Sequence, residues 1–276
     1  MRVFNHTTPD GLRLSGQIHI PAAPRAVMTL VHGFGEHQGR YAHMIASLNA
    51  SGIAVVTMDL RGHGISEGKR GVCHNYSQIL ADVGAQLKTA KRTFPDLPHY
   101  LYGHSMGGGI VLRYVSNTAR TEGLSGVIAS APLLGLPKQL PKAQVFAVKM
   151  LRKFAPNAAL PNPIPGSQIS TLPAEQSRYE ADTLNHGKLG VGLAIDMVEN
   201  GETVLARAED IKLPALLMHA KADQLTASAA SEDFARLAPY CDLHLFEDCE
   251  HEMHNDRVRD EVYALMHKFM TPTPTV

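Results

Sequence analysis

Hydrophobic residues along this chain gather in short unbroken runs, and three of the six runs lead into glycine. Ala26–His32 (AVMTLVH) stops at Gly33, and Gly52–Asp59 (GIAVVTMD) runs into Arg61-Gly62-His63-Gly64. His99–Tyr102 (HYLY) ends at Gly103, and Gly126–Ser130 (GVIAS) at Ala131-Pro132; Leu213–Ala220 and Leu243–Phe246 complete the set. Runs this apolar, with no alternation, predict strands covered on both faces, as in a parallel sheet. Between them the period lengthens to that of a helix, over Tyr41–Ser51, Tyr76–Thr93, Met106–Arg120, Ser228–Ala238 and Arg257–Met270. Strands alternating with helices predict a doubly wound, mostly parallel α/β sheet of about eight strands. The opening residues, Arg2 to Ile20, read as one or two antiparallel strands around a Pro9-Asp10-Gly11 turn. The tail Thr271-Pro272-Thr273-Pro274 carries neither pattern and is expected to fray.

One stretch breaks the rhythm. From Pro132 to Pro173 the chain holds eight of its 17 prolines. That density disfavours core strands and long helices. It predicts an irregular insertion, a lid over residues 132–203 at the C-terminal edge of the sheet, leaving 1–131 and 204–276 as the core. Within it, Lys142–Phe154 has helical spacing: Ala143, Phe146, Ala147, Met150, Leu151 and Phe154 share a face, and Lys149, Arg152 and Lys153 fall elsewhere.

Composition narrows the class. A chain of 276 residues suits one large domain, or one domain carrying such a lid. Lys plus Arg and Asp plus Glu each total 26, and this balance gives no reason to expect nucleic acid as a partner. Cys73, Cys241 and Cys249 are odd in number and form no C-x-x-C, so neither a disulfide framework nor a zinc ribbon is expected. Free thiols in a reducing compartment are the expectation. The first residues, Met1–His6, lack the apolar region of a signal peptide, and no stretch approaches the ~18 apolar residues of a membrane span. The sequence points to a cytoplasmic protein whose contact with a membrane is peripheral.

The candidate chemistry begins at Gly103-His104-Ser105-Met106-Gly107, a G-x-S-x-G pattern placed after an apolar strand and before a helix. In that context the serine sits on a strained turn that lifts its hydroxyl above the sheet, and the glycines let neighbouring backbone approach. A nucleophilic Ser105 needs donors for an oxyanion. One is the N–H of Met106; the other is expected from the loop His32-Gly33-Phe34-Gly35, at Phe34. An acid and then a histidine should follow in chain order. Asp223 lies just past the strand ending at Ala220, where open α/β sheets carry their active residues. His251 lies in the loop before the final helix, placed to take and return the serine proton. Asp248, Glu250 and Asp210 are the rivals of Asp223. The first two stand too close in sequence to His251 to reach it easily, and Asp210 precedes its strand.

These residues resemble the monoacylglycerol lipase-like branch of the α/β-hydrolases, which includes bacterial lysophospholipases. The resemblance is carried by His32-Gly33-Phe34-Gly35-Glu36-His37-Gln38-Gly39-Arg40-Tyr41, by Gly62-His63-Gly64-Ile65-Ser66-Glu67-Gly68, by Gly103–Gly108, by Ala222-Asp223 and by His251-Glu252-Met253-His254. It spans about residues 26 to 270, and the G-E-H-x-G-R-Y run is its most specific part. It implies that Glu36, Arg40 and His254 surround the alcohol head group of a substrate, with Tyr179 bordering the same pocket from the base of the lid. Against these roles stand a structural ion pair for Glu36 and Arg40 and a first-turn helix position for His254. The chain departs from the family at Asp182-Thr183-Leu184, where Asp-Pro-Leu is usual.

The function implied is hydrolysis of a single-chain acyl ester such as a monoacylglycerol, without cofactor or metal, through an acyl-serine. The apolar face of Lys142–Phe154 then either packs on the sheet or lines an acyl tunnel and touches a membrane surface. The alternatives are a general short-chain carboxylesterase and a lipid-binding α/β-hydrolase without activity. A dinucleotide fingerprint can also be read in Gly33, Gly35 and Gly39 with Asp59 further on. None of the eight tyrosines has the lysine four residues later that a short-chain dehydrogenase needs. His251 and His254 do not extend to H-E-x-x-H, because Asn255 holds the last position.

Overall fold

The computed structural model describes residues 1–138 and 141–271, with the side chains at 142, 144 and 145 left aside. The hairpin expected at the start is two strands, β1 (Arg2–Thr7) and β2 (Arg13–His19), paired antiparallel. The apolar runs then form β3 (Ala26–Val31), β4 (Ile53–Met58), β5 (His99–His104) and β6 (Leu124–Ser130). The helices between them are α1 (Ala42–Ala50), α2 (Tyr76–Thr93) and α3 (Met106–Val115). After β6 come α4 (Lys142–Phe154), β7 (Ala159–Pro161), α5 (Pro173–Ala181), β8 (Lys188–Gly190) and α6 (Val191–Ala206). The chain returns to the sheet through β9 (Ala215–Ala220), α7 (Ser228–Leu237), β10 (Cys241–Phe246) and α8 (Arg259–Met270).

The main sheet has eight strands in the order β1-β2-β4-β3-β5-β6-β9-β10. Pairing is parallel from β4 to β10, and only β2 runs the other way, antiparallel to both β1 and β4. Every residue of β3, β4, β5 and β9 is buried, as their unbroken apolar composition requires. Helices α1 and α8 cover one face, with Met44, Leu48, Val262 and Met266 in the packing; α2, α3 and α7 cover the other through Val83, Ile110 and Phe234. From β3 the chain steps to β4 on one side, then crosses to β5 on the other. The loops after β3 and β5 are therefore neighbours at the C-terminal edge, where such a reversal opens a crevice.

Two expectations are corrected by the structure. Helix α3 stops at Val115; the Asn117 side chain then accepts from the Ala119 N–H and starts a separate short 3-10 helix, Thr118–Arg120. The stretch after β6 is also more regular than its prolines suggest. Pro141 stands just before α4 and Pro173 opens α5, a position where the missing N–H costs nothing. Helix α6 runs through residue 203. Its Asn200 donates to the Gly109 carbonyl on α3 (3.0 Å), which binds the end of the insertion to the core. The apolar face of α4 does not pack on the sheet: Phe146 is 66% and Phe154 75% exposed. The proline-containing tail beyond Thr271 lies outside the described residues. Cys73 and Cys249 are buried, Cys241 is half-buried, and all are free thiols. Among the described residues no helix is long and apolar enough to cross a membrane.

Candidate active site

Ser105 occupies the turn between β5 and α3 with φ 55° and ψ −120°. A non-glycine residue there carries strain of about 1–3 kcal/mol, which the surroundings must impose. They do so by hydrogen bonding: Ser105 N–H donates to the Ser130 carbonyl (2.9 Å), and its own carbonyl accepts from Leu133 N–H (2.9 Å) and Gly109 N–H (3.1 Å). The flanking glycines are required sterically. A Cβ at Gly103 would lie 2.2 Å from the Gly107 carbonyl oxygen, and one at Gly107 would lie 2.3 Å from that of Val31. The turn is thus pressed against the end of β3, beside the loop that begins at His32.

That loop is itself pinned. His32 Nδ1–H donates to the Gly33 carbonyl (2.8 Å), and its Nε2 accepts from Leu60 N–H (2.9 Å). Glu36 Oε1 accepts from Gly33 N–H (2.5 Å) and the Tyr41 hydroxyl (2.6 Å). Among the described residues, the N–H groups of Phe34 and Met106 donate to no protein acceptor. Asp59, which could have been read as a ribose ligand, instead accepts from Gln38 N–H and Ile65 N–H (2.8 and 2.9 Å) and staples two loops. With the Gly33 N–H taken by a carboxyl group, the loop is closed to a phosphate.

His251 and Asp223 are brought together as expected, with Nδ1–H donating to Oδ2 at 2.6 Å. Asp223 also accepts from the N–H groups of Leu225 (2.8 Å) and Thr226 (3.0 Å) and from the Thr226 hydroxyl (2.9 Å). Burial alone would raise its pKa, but the neighbouring imidazoles of His251 and His219 hold it well below the usual carboxylate range. Burial likewise opposes a charge on His251, and the adjacent carboxylate outweighs it, raising the histidine. With the proton on Nδ1, Nε2 is left as a base. Asp248 and Glu250, the nearer rivals in sequence, do not bond His251, and Asp210 pairs with Arg207 (2.9 Å) at the surface. Ser105 and His251 open on the same cavity, and no hydrogen bond joins them in this resting arrangement.

The cavity measures about 600 Å³. Its wall is largely apolar, with Leu133, Ile164, Leu189, Val191, Ile195 and Val198 among its residues. Glu36, Tyr179 and Glu252 give it a polar end beside Ser105. Arg40 and His254 are not at this surface. Arg40 donates through Nη2 to Glu252 Oε2 (2.5 Å) and lies 5.2 Å from the Tyr179 ring centre. The ion pair under the first loop is therefore Arg40–Glu252, not Arg40–Glu36. His254 is fully buried and stacks on Tyr41 with ring centres 4.8 Å apart. Burial pushes the His254 imidazole down to about 4, and pushes the Glu36 carboxyl up to about 7 with help from the Glu252 charge. Arg40 holds Glu252 below its ordinary range against the effect of burial. The site thus presents one ionised carboxyl group and one that is partly protonated near neutral pH. Glu252 was not singled out in the sequence, although it directly follows His251.

Two contacts stitch the insertion to the first loop. His186 N–H donates to the Gly35 carbonyl (2.8 Å), and His37 Nε2–H donates to Asp182 Oδ2 (2.8 Å). Thr183 replaces the usual proline without loosening this turn, because Leu184 N–H closes it on Asp182 Oδ1 (2.9 Å).

A G-x-S-x-G turn at a sheet crevice, facing the same cavity as a histidine bonded to a carboxylate, defines a serine hydrolase of the α/β-hydrolase fold. Residues 22–258 match the family described as serine aminopeptidase, S33, and the chain belongs to it. A monoacylglycerol lipase of Mycolicibacterium smegmatis is 33% identical over 89% of this chain and 88% of its own length. An uncharacterized abhydrolase domain-containing protein of Dictyostelium discoideum is 34% identical over 94% of this chain, which spans 28% of that larger protein. The crystal structure of Paleococcus ferrophilus monoacylglycerol lipase superimposes with a TM-score of 0.83, at 29% identity, covering 93% of this chain and 98% of its own.

Proposed function

We propose that this hydrolase cleaves single-chain acyl esters with a small neutral alcohol, monoacylglycerols foremost, through an acyl-Ser105 intermediate. The observation that carries the reading is the chemistry of the cavity: a largely apolar wall joined to a polar group of Glu36, Tyr179 and Glu252 beside Ser105. Ser105 Oγ attacks the ester carbonyl while His251 Nε2 takes its proton, and Asp223 stabilises the imidazolium. The N–H groups of Phe34 and Met106 receive the oxyanion. His251 then protonates the leaving alcohol, and a water activated by the same nitrogen releases the fatty acid.

At the polar end, Glu36 and Tyr179 meet the alcohol, and Arg40 and His254 act one layer back by setting the charge of Glu252 and the packing of Tyr41. Two carboxyl groups, with the guanidinium of Arg40 already engaged, favour a neutral polyol over a phosphate head. Residues 132–203 serve as the lid. The exposed apolar face of α4, with Lys149 and Lys153 nearby, gives peripheral contact with the lipid surface that supplies the substrate.

The test is a fluorophosphonate probe followed by a substrate series. Labelling should require Ser105 and be absent in Ser105→Ala. Turnover should favour a long-chain 1-monoacylglycerol over lysophosphatidylcholine and over p-nitrophenyl acetate. An unlabelled Ser105 would make the protein a binder, and acetyl esters turned over in preference to monoacylglycerol would make it a general carboxylesterase.

A further inference from the structure

His219 is the fifth residue of β9, the strand whose end delivers Asp223, and it is fully buried. An imidazole there has to satisfy both ring nitrogens inside the protein. Nδ1 lies 2.8 Å from the hydroxyl of Ser231 on α7, itself fully buried. Nε2 lies 3.3 Å from the Thr226 carbonyl, 3.1 Å from the Thr226 hydroxyl and 3.3 Å from Asp223 Oδ2.

These neighbours decide the tautomer. A carbonyl and a carboxylate can only accept. The Thr226 hydroxyl proton has a better-placed acceptor in Asp223 Oδ2 at 2.9 Å, and another in the Ala131 carbonyl at 3.1 Å. Nε2 must therefore carry a hydrogen, and Nδ1 accepts from Ser231, whose hydroxyl is free to turn. That N–H donates to the Thr226 carbonyl, and Nε2 lies equally close, 3.3 Å, to the carboxylate oxygen that receives His251 Nδ1–H at 2.6 Å.

We propose that His219 is a positioning residue for the hydrolytic reaction: its Nε2–H fixes the rotation of the Asp223 carboxylate from behind, so that Oδ2 stays in line with His251. The inference rests on the reading of Asp223 as the acid partner of His251. The Thr226 hydroxyl and His251 donate to Oδ2, and His219 Nε2 stands 3.3 Å from the same oxygen. Oδ1 is held by two backbone N–H groups alone. Removing the His219 donor frees one side of the oxygen on which the orientation of His251 depends. His219 itself lines no part of the cavity, so substrate affinity should not depend on it.

Two substitutions separate positioning from bulk. His219→Leu fills the volume and donates nothing. His219→Gln can offer an amide N–H to Asp223 and an amide oxygen to Ser231. On a soluble p-nitrophenyl ester, His219→Leu should lower kcat by about tenfold with KM within about twofold of the unaltered protein, the scale of a lost hydrogen bond to a charged acceptor. His219→Gln should recover most of that loss. A Leu variant that keeps full kcat, or a Gln variant as slow as Leu, would overturn the assignment. If His219→Leu fails to fold, nitrogen-15 spectra of histidine-labelled protein decide, with the His219 signals assigned by their loss in the Gln variant. The Nε2–H tautomer supports the inference, and an Nδ1–H or doubly protonated ring refutes it. Asp223→Asn is the control. If it retains activity, the acid assignment itself fails; if it is inactive while His219→Leu is not, only the role of His219 falls.

Discussion

The floor and the roof of the cavity are built by opposite means. On the floor, around Ser105, Glu36, Asp223 and His251, backbone lies against backbone and the buried carboxylates are held by several donors each. On the roof, α4 shows phenylalanines to solvent and is joined to α6 by the Arg152–Asp196 ion pair at 2.8 Å and a looser Lys149–Glu199 contact at 3.9 Å. A partly exposed pair of this kind adds little stability. The floor is thus specified to fractions of an ångström, as bond-making requires, while the roof is specified only in its pattern of apolar and charged positions, which suffices for admitting a flexible chain.

The contrast breaks most directly at Gly107. If the floor tolerates no added atom, Gly107→Ala should lower unfolding free energy by roughly 2–4 kcal/mol and abolish probe labelling, read by denaturant titration and by gel. A stable, labelled variant would show that the turn has slack. A subtler probe of the floor is Glu36→Gln. The Glu36 carboxyl is raised from 4.5 to about 7 in the folded protein. Between those values the folded state keeps a proton that the unfolded chain has lost, so the contribution of this group is full below the lower value and fades as pH rises through the upper one. Glutamine carries no such dependence. The variant should therefore gain on the unaltered protein by about 1–3 kcal/mol between pH 5 and pH 8. A constant difference would mean that Glu36 ionises normally. The smallest effect belongs to the roof. Phe146→Ser should leave stability within about 0.5 kcal/mol and lower turnover of dispersed long-chain esters a few-fold more than that of soluble ones. Equal losses on both would make α4 mere packing.

Much of the floor was legible in the sequence, because steric necessity writes itself in local motifs. Unbroken apolar runs marked β3 to β6, and the glycines at 103 and 107 stand where only hydrogen fits. Asp223 and His251 followed from chain order together with their places just past strand ends. The roof was less legible. Helices α5 and α6 went unrecognised because Pro132 to Pro173 read as breakers, whereas Pro173 is a starter, and because α6 mixes buried Asp196 and Asn200 into its apolar face. Also hidden were the pairings that depend on distant segments meeting. Arg40 finds Glu252 across the whole core, and His219 finds Ser231 and Asp223 around a turn, with no spacing rule to announce either.

The two stitches from His186 and Asp182 to Gly35 and His37 have a mechanical consequence. They fasten the insertion at the very loop that carries the Phe34 amide, so any hinge there would drag that amide out of register with each opening stroke. A roof that opens would instead yield at its opposite margin, along α4, with the stitched side as its axle. Guests would then come and go by the far door while the reacting atoms stayed in registration from one turnover to the next.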